Sequence, residues 1–496
     1  MSNAKDSQHR SNLQRIGRRA MMERGLLPDF SPQALVQLQG IQENVSKVEE
    51  GTHDLRSLLW CSIDNDDSED LDQLTLAQEM PGGATKILIA IADVDAFVKK
   101  DSALDEHAKH NTTSVYTAAQ IFPMLPEKLS TDITSLNYEV DRRAIVVEIM
   151  IASDGSVHDS SIYNAIVRNH GKLAYNSVAD WLEGSGSMPQ AIATVNGLAE
   201  NILLQNKVAK KLKALRHMHG ALDFDTIKAR PVFKEDEIKD LATEKRNSAK
   251  DLIEDFMIAA NGVTARYLVT KNFPSLRRVV RQPKRWDRIV ELAGERKFLL
   301  PKEPDSKALD QFLVLEKATD PLRFPDLSLS VIKLLGPGEY VVELPGDSSV
   351  GHFGLAVKDY AHSTAPNRRY PDLITQRLLK AAIAGSSIPY ETDELMTLAK
   401  HCMEAENAAQ KVERQVGKSA AAILLESRIG EQFDAIITGA SDKGTWVRLL
   451  HPPVEGRLEG SFEGEDVGLK LRVQLIHTDV ERGFIDFKKI IERHSL

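Results

Sequence analysis

Cysteine is nearly missing from this chain: Cys61 and Cys402 are the only two in 496 residues. That excludes a disulfide framework or a cysteine-built zinc motif, and it suits a reducing cytoplasm. Long hydrophobic runs are missing too. No stretch approaches the roughly 20 apolar residues of a membrane helix. Met1–Arg19 is polar and basic, without the apolar core of a signal peptide, and Met1–Ala4 reads as a cloning remnant. An excess of positive charge is also lacking. The net charge of −9 argues against a generally basic nucleic-acid coat but leaves room for one basic groove. What is there is ordinary for a globular protein, 42% hydrophobic and 27% charged. The length allows about three domains of ~150 residues, or one large domain with smaller ones.

The most unusual stretch is Cys61–Gln73, C-S-I-D-N-D-D-S-E-D-L-D-Q, with five aspartates, one glutamate and no base. Like charges this close need a counter-charge, and hard oxygen ligands suit Mg²⁺ or Mn²⁺. Most acidic runs are solvated loops. Here an apolar strand at Leu58–Ile63 leads in, Leu71 sits inside, and a second apolar strand follows at Ile87–Ala92, so the acids are clamped between core strands. The second informative stretch, 352–385, contains T-A-P-N-R-R-Y-P-D at Thr364–Asp372. Pro371 suits the first turn of a helix and Gly385 its end. Arg368 and Arg369 then sit in the loop feeding a helix N-terminus, a good phosphate site.

The spacing of Asp64, Asp70 and Asp72 resembles the metal loop of the ribonuclease II and ribonuclease R family. I-F-P-M-L-P at 121–126, Lys172–Glu183, Met257–Asn261 and the arginine loop resemble that family in the same order. The resemblance covers the chain from about residue 13 onward. The family's arginine loop usually reads T-S-P-I-R-R/K-Y-x-D, so Ala365 and Asn367 are departures. Its acidic loop usually has a fourth aspartate where this chain has Gln73, which removes one negative charge. Asp66, Asp67 and Asp93 are the nearby candidates to compensate. The acidic loop arrives by residue 64, which leaves no room in this sequence for the small RNA-binding β-barrels that usually come first.

The resemblance implies an α+β fold, an RNB-type catalytic domain of mixed sheet or barrel with surrounding helices, plus a C-terminal five-stranded OB barrel. The divisions are 1–50, a basic helical segment; 51–428, catalytic; and 429–496, RNA-binding. The implied activity is Mg²⁺-dependent hydrolysis of single-stranded RNA from its 3′ end to 5′-mononucleotides, with Mn²⁺ as a possible substitute. The metal set is Asp64, Asp70, Asp72 and Gln73, and the catalytic residues are Asp72, Arg368 and Tyr175. Tyr116, Phe224, Glu254, Arg368, Glu413 and Trp446 are the RNA contacts. A cytoplasmic monomer is expected. Gln73 keeps a second reading open, a catalytically impaired RNA-binding or adaptor protein on the same scaffold.

Local patterns supply the remaining elements. Residues 5–25 space Leu13, Ile16, Ala20 and Met21 for an amphipathic helix with a basic face, and a second helix covers about 32–42. Asp154-Gly155 signals a hairpin. Helices are expected over 172–183, 190–217, 248–268 and, after a linker at 386–393, to about 428, with a strand beginning at Gly220–Phe224. The basic stretch 277–288, with Trp286, is consistent with an RNA path. Five short strands from Phe433 to Phe487 fit an OB-type barrel. In it Trp446 and Phe462 are either stacking platforms or core.

Overall fold

A computed structural model describes residues 8–42, 50–227, 229–243, 246–441, 444–460 and 469–490. Its centre is a seven-stranded mixed sheet in the order His53–Asp54, Val157–Arg168, Asp141–Ile151, Thr85–Ala92, Gln73–Glu79, Cys61–Asp64, Gly171–Ala174. The two outermost pairings are parallel and the others antiparallel. Only Asn169 and His170 separate Arg168, on the second strand, from Gly171, on the seventh. So short a link between distant positions requires the sheet to curl strongly, towards a barrel. Thr85–Ala92 reads T-K-I-L-I-A-I-A and is buried almost throughout, the pattern of a strand covered on both faces.

The helix Leu198–Met218 crosses this sheet. Its Asn201 amide accepts from Ala77 N–H at 3.2 Å and donates to Ala77 C=O at 2.8 Å. Gln205 meets the Thr75 hydroxyl at 2.7 Å. Helix Ser248–Thr270 packs beside it, capped by the Asn247 side chain. Tyr370–Ala384 carries Pro371 in its first turn and ends at Gly385, whose φ of +63° is left-handed. Behind this helix, buried Arg377 donates to Asp105 at 2.7 Å and to the Tyr390 hydroxyl at 2.9 Å. Lys380 holds Asp93 at 2.8 and 3.0 Å.

The five C-terminal strands Gln432–Ser441, Gly444–Leu449, Glu455–Glu459, Lys470–Asp479 and Phe484–Lys489 close into a barrel. Its core takes in Ala421, Ala422 and Leu425 from the long helix Thr392–Glu426, and Leu241 from a hairpin. Leu13, Ile16, Ala20 and Met21 of helix His9–Glu23 pack in one cluster with Val412 and Val416 of that same long helix. The basic face of His9–Glu23 is spent on carboxylates: Arg19 reaches Glu481 of the barrel at 2.7 Å, Arg15 pairs with the same residue, and Arg18 pairs with Asp29.

Several expected elements differ. Residues 220–224 form no strand. Lys172–Ala174 extend the sheet rather than begin a helix, because Cys61–Asp64 offers an open edge beside them, and the helix runs Tyr175–Leu182. The 190–217 helix is divided at Gly197. That residue has φ +83°, and a Cβ there would lie 3.1 Å from Leu59, so glycine makes both the turn and the close approach. The first acidic-loop strand starts at Cys61, because Leu58 and Trp60 turn back on Leu55 and Leu58.

His107 gives the fold an acid sensitivity. It is 5% exposed, lies 4.2 Å from the Phe30 ring, and its Nε2 meets Asn111 Nδ2 at 3.2 Å. Burial, helped by His110, pushes it down to about 4. Below pH 6.5 the unfolded chain takes up a proton that the folded chain refuses, so this contribution to stability is lost as pH falls from 6.5 towards 4. Between pH 7 and 5 the loss is about 2 kcal/mol. Urea midpoints at the two pH values should differ less in His107→Phe than in the parent; equal differences would remove His107 as a cause.

Candidate active site

The acidic loop leaves the sheet at Asp64 and returns at Gln73. Leu71 faces the core and is 1% exposed. Its N–H donates to Ser135 Oγ at 3.0 Å, its C=O accepts from Leu136 N–H at 2.9 Å, and Ser135 Oγ donates to Glu69 C=O at 2.6 Å. Asp70 and Asp72, on either side of Leu71, both act on Tyr116 and Arg368.

Asp72 meets the arginine loop. Its Oδ1 accepts from Asn367 N–H at 3.0 Å and its Oδ2 from Arg368 Nε at 3.0 Å. That loop is itself fixed. Ala365 N–H donates to Asp372 at 2.9 Å, Ser114 N–H to Arg368 C=O at 3.0 Å, and Tyr370 N–H to Thr112 C=O at 2.7 Å. Asn367 is fully buried, with Thr134 Oγ1 donating to its Oδ1. Burial drives the Asp72 carboxyl up to about 7; the Arg368 charge opposes this and Asp70 adds to it. The Arg368 side chain is 42% exposed. Only its Nε is used among the described residues, so neither terminal nitrogen is committed to a hydrogen bond there.

Two phenols complete the group. Tyr116 donates its hydroxyl to Asp70 Oδ2 at 2.7 Å, and its backbone N–H donates to Glu413 Oε1 at 2.9 Å. Tyr175 opens its helix, and Lys250 Nζ lies 5.9 Å from its ring centre. Burial raises both phenols well above their usual value. Arg368 opposes the rise in both, while Asp70 adds to it at Tyr116 and Asp64 at Tyr175. Both therefore remain neutral O–H donors. Arg368 is held protonated because Asp72, Tyr116 and Asp70 outweigh its burial.

Asp64, Asp70, Asp72, Tyr116, Tyr175, Arg368 and Glu413 are thus joined by contact or by mutual electrostatic influence. Glu254 lies one helical turn beyond Lys250 and pairs with Arg246 at 3.2 Å. Phe224 and Trp446 stand elsewhere. Phe224 packs against the cluster of Trp286 and Phe312. Trp446 lies between inward-facing Thr445 and Val447 of its strand, half-buried on the outer side of the barrel. Phe462 is outside the described residues. In the basic stretch, Arg277 pairs with Glu343 and Asp359, Arg278 with Glu406, and Trp286 is buried.

The donor chemistry of the acidic loop fits a hard divalent cation. Asp64 accepts through Oδ1 alone, from Asn65 N–H at 2.7 Å and Ser68 Oγ at 2.9 Å, and Asp70 through Oδ2 alone. One oxygen of each is unused among the described residues. These side chains are not gathered around one point: among the described residues no three acidic, histidine or cysteine groups form a metal cluster. Gln73, 6% exposed and opposite Ile91, adds no charge. Asp66 and Asp67 are exposed, and Asp93 is committed to Lys380.

Sequence reasoning passed over Ser135 and Lys250. Ser135 carries no local signal, since it acts through backbone groups more than sixty residues away. Lys250 did carry one, standing four residues before Glu254 on one helix face.

An RNB domain is matched over residues 52–385, and an RNase II-type exonuclease C-terminal S1 domain over 431–490. The chain is similar to ribonuclease R of Escherichia coli K12, 31% identical over 456 residues, which cover 89% of this chain and 55% of that protein. It is 28% identical over 501 residues to ribonuclease R of Aquifex aeolicus, covering 95% and 70%. The chain therefore spans about half the length of the first of these relatives. Among solved structures, Mycoplasma genitalium RNase R in complex with ribose methylated single-stranded RNA superposes with a TM-score of 0.87 at 21% identity, covering 97% of this chain and 78% of that one. Yeast Ssd1, a pseudonuclease, superposes at 0.69 and 15% identity, covering 94% and 57%. At these identities the likeness is one of fold. No helix among the described residues is long and apolar enough to cross a membrane. With the RNB domain spanning two-thirds of its length and an S1 barrel following, this chain belongs to the RNB domain family.

Proposed function

We propose that the chain is a 3′-to-5′ exoribonuclease that removes 5′-mononucleotides from single-stranded RNA, with residues 51–428 carrying the chemistry and 429–496 holding RNA. The observation that supports it best is Arg368, fixed through Nε to buried Asp72 while its two outer nitrogens have no hydrogen-bond partner among the described residues. That is the arrangement wanted for neutralising charge on a phosphate in transition. Mg²⁺, or Mn²⁺, held by Asp64, Asp70 and Asp72 with Gln73 beside them, would supply Lewis-acid polarisation of the phosphate and of the attacking water.

The chain's own groups do the rest. Tyr175, kept neutral, donates to the scissile phosphate. Tyr116, 39% exposed, offers its ring to the last base, and Trp446, on the outer side of the barrel, serves as a further stacking surface. Stacking of this kind contributes about 1–3 kcal/mol per base whatever the sequence. Glu254 and Glu413 accept from ribose hydroxyls or base edges, and a 2′-OH contact excludes DNA. The test is a 5′-labelled RNA incubated with and without Mg²⁺. A ladder retreating from the 3′ end supports the reading, and intact RNA overturns it.

Gln73 favours a second reading, an RNA binder with an impaired site. The variant Gln73→Asp distinguishes the two. Added charge tightens a hard-cation site, so the Mg²⁺ concentration for half-maximal rate should fall about tenfold, the effect of ~1.4 kcal/mol. A parent protein inactive at every Mg²⁺ concentration, with activity appearing only in Gln73→Asp, would establish the binder.

A further inference from the structure

The sheet has a second end. Gln73 pairs with Ile91, and Ala92 with Ala144, at the acidic-loop end; Thr85 pairs with Ile151 at the other, where the chain turns through Asp154 and Gly155. At that far end a cavity of 260 Å³ opens between helices Leu198–Met218 and Ser248–Thr270, the hairpin turn and residues 357–359. Val157, Leu212, Leu215, Ile258, Ala259 and Val357 make its apolar walls. Its charges do not balance. Asp255, 3% exposed, is taken by Arg216. Asp359 is shared with fully buried Arg277, 3.5 Å away.

Arg266 and Lys358 are exposed and have no hydrogen bond or ion pair to their side chains among the described residues; Asp359 attracts Arg266 from beyond ion-pair distance, and Arg277 opposes it. Arg266 also leans back over its own helix. A Cβ at Gly262 would stand 3.3 Å from Arg266 Nη1 and 3.5 Å from Asp359 O, so the guanidinium lies close over the helix backbone at Gly262. An apolar recess with a few convergent polar groups is the usual form of a small-molecule site, and here the surplus is positive.

We propose that this recess binds a compact amphipathic anion, an aromatic or aliphatic body bearing one phosphate or carboxylate, with the anionic group on Arg266 and Lys358. The assignment stands independently of the reaction at the acidic loop. The experiment is isothermal titration of the full chain with phenyl phosphate, with inorganic phosphate and benzyl alcohol as separate arms. One saturable site is expected for phenyl phosphate, with weaker binding of either fragment. Arg266→Ala should weaken it about tenfold, the loss of one charge-assisted hydrogen bond, and Ala259→Leu should block it by filling the cavity. Arg368→Ala should leave it unchanged. Absence of a saturable site, binding indifferent to both Arg266→Ala and Ala259→Leu, or binding lost in Arg368→Ala would each overturn the proposal.

Discussion

Asp72→Asn should slow RNA hydrolysis by about 10²–10³-fold, the usual effect of removing one preorganised electrostatic group, while the protein stays folded. The substitution keeps the shape. An asparagine carbonyl still accepts the Asn367 N–H, which now reaches Asp72 Oδ1 at 3.0 Å. It removes the charge, and with it the counter-ion that fixes Arg368 through Oδ2. It also removes one of the three carboxylates proposed to hold the cation. Single-turnover degradation of a 5′-labelled RNA gives the rate, and thermal unfolding verifies the fold. A rate within a few-fold of the parent would take Asp72 out of the chemistry.

Arg368→Ala should also cost about 10²–10³-fold in rate. RNA affinity should change only a few-fold, because Tyr116, Glu254, Glu413 and Trp446 are untouched. Arg368→Lys should recover little of the rate. Lysine offers a point charge where the structure uses one nitrogen of a planar fork for Asp72 and leaves two for the ligand. Gel-shift affinity measured beside the rate separates the outcomes. A loss of binding that matches the loss of rate would make Arg368 an anchor for RNA.

Both stretches that meet at Asp72 and Arg368 were legible because each is local. The acids follow a strand within nine residues, and the arginines precede a helix marked by Pro371 and Gly385. The barrel was legible for the same reason, through alternation within short strands such as Gly444–Leu449. What escaped depends on distant partners. Lys172–Ala174 become a strand only because Cys61–Asp64 lies alongside, a pairing no sequence window contains. The basic run from Arg277 suggested an RNA path, yet Arg277 and Arg278 serve Glu343 and Glu406, 66 and 128 residues away. The Ser135 clamp on the acidic loop was silent for the same reason. At position 73 the composition was plain, but the surroundings of the nearby acids were not: Asp66 and Asp67 are exposed, and Asp93 is bound to Lys380.

The most direct test of the account is one gel. A 5′-labelled single-stranded RNA is incubated with the protein, with and without Mg²⁺, beside Arg368→Ala, and resolved at single-nucleotide steps. The account predicts a ladder that shortens from the 3′ end with the parent protein and Mg²⁺, and intact RNA when either the metal or Arg368 is removed. Intact RNA in every lane, with the parent still shifting it on a native gel, would contradict the account and leave an RNA-binding protein built on a nuclease scaffold.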